Sequence, residues 1–234
     1  MDRRSRLAVF ASVLLASPFL AAPALAGPPL LCFPYEIGKS ASLPWGNDAF
    51  EGKKGYDKSK VVSDTLEILK TEKSVLARME TLRRAAIYIG KDREAATELL
   101  AKLSWIAMDN EAIGKPSAYA WFDAGVLAAT LRQSGGDVGW HAGTAAGADG
   151  YAWVRRALEL RPDDAAMQFG AALVVFERDP AAYKNHLRKA VAGATPGSDL
   201  AKSIESNWAC GHKPVEELKK ELGTGDSRSA STGG

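Results

Sequence analysis

Apolar residues recur every three or four positions from Val61 to Leu222, and this spacing constrains the fold more than any other feature. The first such stripe comprises Val62, Leu66, Leu69, Leu76, Met79, Leu82 and Ala86. An α-helix has about 3.6 residues per turn, so this spacing indicates helices that each bury one face. Runs that alternate apolar and polar residues, as strands do, are no longer than about five residues. The pattern therefore predicts an all-α protein.

Helix-breaking and helix-capping residues divide this region into separate helices. The segment 71–74 interrupts the first stripe, Asp92 is placed to cap the next helix, and Lys115-Pro116 precedes a helix that runs to Gln133. Further along, either Asp163 or Asp164 is placed to cap a helix. The remaining predicted helices cover residues 150–160, 163–176, 180–193, 198–208 and 214–222.

Large apolar side chains at helical spacing are expected to form the core. In the helix after Asp92, the residues predicted to share the buried face are Ala96, Leu99, Leu103 and Ile106. Most of the six tryptophans, Trp45, Trp105, Trp121, Trp140, Trp153 and Trp208, stand beside other apolar residues. We therefore expect most of them to be buried rather than to form a ligand platform.

The segment before Val61 has a different composition. Residues 27–60 contain Pro28, Pro29, Pro34 and Pro44, followed by several glycines and lysines. Proline and glycine at this density exclude a long helix. We expect an extended N-terminal arm whose apolar residues lie on the helical body, namely Leu30, Leu31, Phe33, Ile37, Leu43 and Trp45.

The first 26 residues have the three-part pattern of a secretory signal peptide. Arg3, Arg4 and Arg6 precede an apolar run over residues 7–20, and Ala24 and Ala26 supply small residues before Gly27. The apolar run is shorter than the ~20 residues that span a membrane. We expect cleavage near Ala26-Gly27 and export to the periplasm or the extracellular space, with no membrane span in the mature chain.

The mature chain carries no net charge. The 234 residues include 30 Lys and Arg and 28 Asp and Glu, but removal of residues 1–26 leaves 27 of each sign. A neutral surface does not favour nucleic acid or an anionic membrane as a partner. The composition is that of an ordinary globular protein.

Two cysteines, Cys32 and Cys210, remain after cleavage. Because exported proteins fold in an oxidising compartment, we expect a disulfide between them. The alternative is a catalytic thiol beside His212, and it is disfavoured because a nucleophile and its base normally come from distant segments.

Residues 134–150 form a glycine-rich segment with six glycines. The spacing of a phosphate-binding loop is absent and no strand precedes it, so the segment reads as a flexible linker between helical hairpins. Trp140 and His141, in its centre, are predicted to be an exposed contact point for a partner, and the alternative is that the tryptophan folds back into the core.

A short internal repeat suggests how the helices are arranged. The six residues that begin at Trp153 match in character the six that begin at His186, an offset of 33, and Pro162 and Pro196 are 34 apart. This period, with two helices per unit, is typical of helical-hairpin solenoids.

Over residues 150–197 the chain resembles the tetratricopeptide repeat family. Ala157 and the closing Pro162 look like the end of that family's second helix, although the glycine-rich segment stands where an earlier first helix should be. The resemblance implies a short right-handed α-solenoid of antiparallel hairpins that binds a protein or peptide on its concave face. It carries no catalytic residue.

Basic residues recur on the matching helices. Arg155, Arg156, Arg188 and Lys189 are candidates for a strip that grips an acidic peptide, and the alternative is a solvated outer face. The three histidines, His141, His186 and His212, lack metal-site spacing, and no nucleophile motif occurs. We therefore predict no catalytic residue, metal or cofactor, and we expect His186 to be partly buried.

The sequence thus predicts a signal peptide (1–26), an extended arm (27–60), helical hairpins (61–133), a glycine-rich loop (134–150), tetratricopeptide-like repeats (151–222) and a disordered tail (223–234). The function it favours is a protein-binding or peptide-binding scaffold in the periplasm or cell envelope. An envelope enzyme with a site near the glycine-rich loop, and a purely structural envelope protein, are the alternatives.

Overall fold

The protein is all-α over residues 27–47, 50–133, 147–176 and 178–224, which a computed structural model describes. The helices are α1 (Val61–Thr71), α2 (Val75–Ile89), α3 (Arg93–Ala112), α4 (Ala118–Gln133), α5 (Gly150–Leu160), α6 (Ala165–Val175), α7 (Pro180–Gly193), α8 (Asp199–Ser206) and α9 (Val215–Glu221). Short 3-10 turns cover Lys58–Lys60 and Trp208–Cys210. The only strand-like contact within these ranges is a bridge between Trp45 and Gly52. The all-α prediction is confirmed.

Side-chain caps start the helices where the sequence places them. The Asp92 carboxylate accepts hydrogen bonds from the first backbone amides of α3, and Asp179 does the same for α7. Ser74 caps α2, so the break at 71–74 separates two helices. Of the two candidates for α6, Asp164 is the cap, and its carboxylate accepts from the Met167 amide at 3.0 Å. Each cap satisfies amides that the helix leaves unpaired.

The core is centred on α2, α4 and α6, whose residues are mostly buried. Helix α4 packs against α2, α3, α5 and α6, and α6 also packs against α7. At the closest approach of α4 and α5, a Cβ on Gly125 would lie 2.6 Å from the Gly150 carbonyl oxygen. This contact requires glycine and lets the two backbones meet without intervening side chains.

The N-terminal arm belongs to this core. Leu30, Tyr35 and Leu43 are buried in the same apolar cluster as α2, α4 and α6. The Leu30 amide donates to Gln133 of α4 at 3.0 Å, and the Tyr35 ring stacks edge-on against Phe169 of α6. The arm therefore covers the surface that these three helices form.

A buried carboxylate on α2 fastens the arm. Glu80 is fully buried and accepts from Arg83 at 2.8 and 2.9 Å, from Arg84 at 2.7 Å and from the Tyr35 amide at 3.1 Å. Both guanidinium groups lie near the ring of Trp45, at 5.3 and 5.5 Å from its centroid. One side chain therefore links two cations of α2 to the arm.

The same arginines bind the arm's backbone. Arg83 donates to the Leu31 carbonyl at 3.0 Å and Arg84 donates to the Leu43 carbonyl at 2.6 Å. The Arg-Arg pair of α2 thus has a structural role, because both guanidinium groups pair with the Glu80 carboxylate and their remaining donors reach main-chain oxygens of the arm.

The arm also meets the last helices. The Glu36 amide donates to Ser203 of α8 at 2.9 Å, and the Asn207 side chain donates to the Pro29 carbonyl at 3.2 Å. The arm therefore joins the N-terminal helices to the C-terminal ones, which are distant in sequence.

We expect Glu80→Gln to destabilise the protein by about 3–5 kcal/mol, because it leaves the buried Arg83 charge without its counter-ion. Urea unfolding followed by circular dichroism measures the change. The matched control is Glu67→Gln, whose partner Lys70 lies 3.8 Å away with both side chains largely exposed. The control should change stability by less than about 1 kcal/mol. Equal effects of the two substitutions would contradict the role assigned to Glu80.

Candidate functional site

A cleft of about 640 Å³ opens between α1, α3 and the start of α4. Its floor is formed by Arg78 and Asp123, and Leu66, Leu69, Leu103 and Ile106 are among its apolar lining residues. Polar and charged residues also line it: Ser63, Glu67, Lys70, Glu72, Lys73, Lys102, Asn110, Ser117 and Tyr119. Concave sites with an apolar wall and a few polar groups are typical of binding sites.

The floor of the cleft is a buried ion pair. The Nε of Arg78 donates to Asp123 Oδ1 at 2.9 Å, and a second guanidinium nitrogen donates to Oδ2. Arg78 also donates to the Leu69 carbonyl at 2.8 Å, and its guanidinium carbon lies 4.6 Å from the centroid of the Tyr119 ring. Burial raises the pKa of Asp123 to about 6, although the Arg78 charge lowers it.

This pair holds the cleft together. Arg78 binds carbonyls at the carboxyl end of α1, so it fixes α1 against α2 and α4. Asp123 is 1% exposed and is held by the guanidinium.

The rim of the cleft carries cations that are weakly engaged. Lys70 pairs with Glu67 at 3.8 Å through two largely exposed side chains, and such a pair contributes little. The Lys73 side chain is exposed and makes no ion pair within the described residues. Glu72 is already occupied, since it accepts from the amides of Lys73 and Ser74 at 2.8 and 2.7 Å. The rim therefore favours an anionic group.

An apolar surface continues outward from the cleft along α3. Leu66, Lys102 and Ile106 line both the cleft and a shallow groove beside Ala101 and Trp105. Trp105 is 62% exposed and Ile106 is 38% exposed. Of the tryptophans, most of which were expected to be buried, Trp45, Trp121 and Trp153 are partly buried against the core and Trp105 is exposed. Ile106, which was predicted to share the buried face of α3, lies at the edge of that face. The cause is that α3 packs through Leu99, Leu103 and Ala107, which turns Trp105 to the opposite side.

The predicted basic residues lie elsewhere, on α5 and α7. Arg155, Arg188 and Lys189 are exposed, and Arg188 donates to Asn185 at 3.2 Å. Arg156 is partly buried and is engaged by Glu111 of α3 and by Glu159, the latter at 2.8 Å. Arg156 therefore bridges two helices, and the Glu111 carboxylate lowers its availability to a partner.

The predicted contact residues Trp140 and His141 lie outside the described residues, as do the signal at 1–26, the segment 134–146 and the tail from Gly225. His212, the third histidine, stacks against Phe33 of the arm with ring centroids 6.0 Å apart.

Cys32 and Cys210 are present as free thiols. Burial raises the pKa of the Cys210 thiol to about 12, which leaves it a poor nucleophile. Their surroundings are joined by the Asn207–Pro29 hydrogen bond and by the Phe33–His212 ring contact. The disulfide between them stays a prediction.

His186 is buried in a short polar chain between α5, α6 and α7. Gln168 donates to the Pro162 carbonyl at 2.8 Å, so its amide oxygen is the atom that faces His186 Nδ1 at 2.6 Å. Nδ1 therefore carries the proton, and Nε2 accepts from the Tyr151 hydroxyl at 2.9 Å. Burial, and then the charge of Lys189, lower the pKa of His186, while Asp179 raises it.

The cleft was not predicted from the sequence. Lys70, Lys73 and Asp123 belong to no motif, and they meet because α1, α3 and α4 pack together. One signal was available: with Leu99 and Leu103 buried, helical spacing places Trp105 on the outer face.

No group of His, Cys, Asp and Glu in the described residues is arranged to hold a metal ion. Within the same ranges, no helix combines the length and hydrophobicity that crossing a bilayer requires.

Comparisons with known proteins give no match: no family model, no curated protein and no solved structure is significantly similar to this chain. The resemblance to tetratricopeptide repeats therefore stays a prediction.

We expect His186 to contribute a loss of stability as the pH falls below about 6.5, because it takes up a proton more readily in the unfolded chain than in the folded one. Asp123, whose pKa is raised, contributes in the opposite direction, so the effect of His186 is measured as a difference between wild type and variant. His186→Gln removes this contribution. Thermal unfolding at about pH 7.5 and about pH 5.5 should show a smaller drop in Tm for the variant than for the wild type. Tyr151→Phe, which keeps the imidazole, should retain a pH-dependent drop. An identical drop in wild type and His186→Gln would show that His186 does not contribute.

Proposed function

We propose that this protein is an exported, non-catalytic binding module built on a short right-handed α-solenoid of antiparallel helix hairpins. The proposed hairpins are α2/α3, α4/α5 and α6/α7. Support comes from the matching positions of α5 and α7: Ala157 and Ala190 are both fully buried, while Arg155 and Arg188 are both exposed. Equal burial at matching positions is what a stacked repeat requires.

In such a solenoid α2, α4 and α6 would form the inner face, where a guest segment binds. In this protein the arm lies there, bound to Glu80 of α2, Gln133 of α4 and Phe169 of α6. The N-terminal arm of the same chain thus occupies the face on which a guest segment would bind. This argues against a second peptide on the inner face and directs the search for a partner to an outer surface.

The observation that carries the proposal is the open cleft between α1, α3 and α4. It combines an apolar wall at Leu66 and Ile106 with lysines at its rim. We propose that it binds an extended peptide segment in which apolar side chains stand beside a carboxylate. The apolar side chains would cover the wall, and the carboxylate would approach Lys70 and Lys73.

The exposed cations of α5 and α7 are the second candidate surface, favoured by their recurrence at the repeat period. Arg155, Arg188 and Lys189 are accessible, whereas Arg156 is engaged with Glu111 and Glu159. The two surfaces lie on different helices, so charge reversals on each distinguish them.

Panning a phage-displayed peptide library on the purified protein should enrich sequences that combine acidic and apolar residues. Their affinity should fall at least about tenfold with Lys70→Glu/Lys73→Glu, because the rim then repels a carboxylate. Fluorescence anisotropy of the labelled peptides measures the change.

The matched control is Arg188→Glu/Lys189→Glu, which also reverses two exposed charges. It should leave the affinity unchanged. Loss of binding in the control, with binding kept in the cleft variant, would assign the partner to α5 and α7. Failure to enrich any peptide would contradict the proposal.

We also propose that Cys32 and Cys210 form a disulfide in the exported protein. Such a bond would close a loop across nearly the whole mature chain and, in the chain-entropy view, contribute about 5 kcal/mol. Intact mass after alkylation should show no free thiol in protein from an oxidising compartment, and reduction should change its mobility on a gel. Two alkylated cysteines in the native exported protein would exclude the bond.

A further inference from the structure

Helix α3 has two apolar faces, and only one of them is buried. Leu99, Leu103 and Ala107 pack inward, whereas Ala101, Trp105, Met108 and Ala112 are exposed. Trp105 and Met108 are 62% and 51% exposed, which is unusual for side chains of this size.

The exposed residues form one continuous seam. Ala101, Trp105, Met108 and Ala112 are separated by four, three and four residues. This alternation is the spacing of residues at the contact between two packed helices, and the seam is about 17 Å long. The large residues in the middle supply most of the apolar area for a second helix, and the alanines at both ends leave room for it.

From these positions we infer that the seam pairs with the α3 helix of a second copy of this chain, running antiparallel about a two-fold axis. In that arrangement Trp105 meets Met108 of the second copy, and Ala101 meets its Ala112. The same patch serves both copies, as a two-fold interface requires. The proposal does not rest on the partner proposed for the cleft, although Lys102 and Ile106 line the cleft and also flank the seam.

Charged residues on the flank of the seam favour the antiparallel α3 helix of a second copy as its partner. Lys102 follows Ala101 and Asp109 follows Met108, so both lie on the same side of the seam. In an antiparallel pair, residues at these equivalent positions face each other, so Lys102 of each copy would meet Asp109 of the other. A parallel pair would instead bring this flank against the flank of Thr97 and Ser104, where no ion pair forms.

Both side chains are available for this contact. Asp109 is exposed and its carboxylate makes no ion pair within the described residues. Lys102 pairs with Glu98 on its own helix at 2.8 Å, with the two side chains about half exposed. Exposed pairs of this kind are weak, so the ammonium can contact Asp109 of the second copy as well.

The arrangement has a consequence for the cleft. Lys102 and Ile106 line the cleft on the same flank that would face the second copy. Pairing through this flank would therefore place the two clefts of a dimer side by side. A short seam predicts a weak dimer, with a dissociation constant in the micromolar range.

The purified protein should show reversible, concentration-dependent dimerisation in sedimentation equilibrium. Trp105→Glu should abolish it, since the variant places two carboxylates in the seam, and circular dichroism should show that the exposed substitution leaves the fold intact. Arg188→Glu, on an exposed position of α7, should leave dimerisation unchanged.

A charge swap tests the antiparallel orientation. Lys102→Glu and Asp109→Lys should each weaken the dimer at least about tenfold, because each creates two like-charge contacts. The double variant Lys102→Glu/Asp109→Lys restores opposite charges in both contacts and should recover the wild-type affinity.

Three results would overturn the inference. The first is a protein that is monomeric at every concentration measured, and the second is a dimer that Trp105→Glu leaves intact. The third is a monomer that sediments with phosphatidylglycerol vesicles only when Trp105 is present, which would assign the seam to a membrane surface. A double variant that dimerises no better than either single variant would exclude the antiparallel pairing.

Discussion

The buried Glu80 carboxylate is the interaction on which the remaining structure depends. It takes two guanidinium groups of α2 and an amide of the arm out of water together, and each of these would be costly to bury alone. The arrangement closes only when the arm is present, because Arg83 and Arg84 complete their hydrogen bonds on arm carbonyls. The arm is therefore a component of the core, although it contains no regular helix before Lys58.

This constraint decides where a partner has access. With residues 27–47 lying on α2, α4 and α6, the face that a helical-hairpin array would offer to a guest is used internally. The surfaces proposed for other molecules lie outside this face: the cleft with the Arg78–Asp123 pair at its floor, the apolar seam of α3, and the exposed cations of α5 and α7. The first two both use α3, whose outward side carries exposed apolar side chains.

Local rules predicted the elements well. Three aspartates cap helices because their carboxylates reach backbone amides only two or three residues away: Asp92, Asp164 and Asp179. Such a contact depends only on the local sequence. The site was harder to predict. Most tryptophans were expected in the core because their neighbours are apolar, yet the packing of Leu99 and Leu103 turns Trp105 outward. Tyr35 was not singled out, and only its contact with Phe169 reveals it as a core residue.

The sequence by itself determined three features. Apolar spacing determined the all-α class, and capping side chains determined the positions of the helix ends. The proline content of the arm excluded a long helix there and left its apolar residues to lie on the body. Tertiary structure alone decided that Arg83 is buried and Arg84 half-buried while Arg155 and Arg188 are exposed, although all four belong to short basic segments of helices. It also decided that Lys70 and Lys73 stand at the rim of a cleft whose floor is Asp123. The physical reason is that an isolated helix specifies only which of its sides is apolar. Whether a charge on that helix meets a buried carboxylate, a carbonyl or water depends on segments far along the chain.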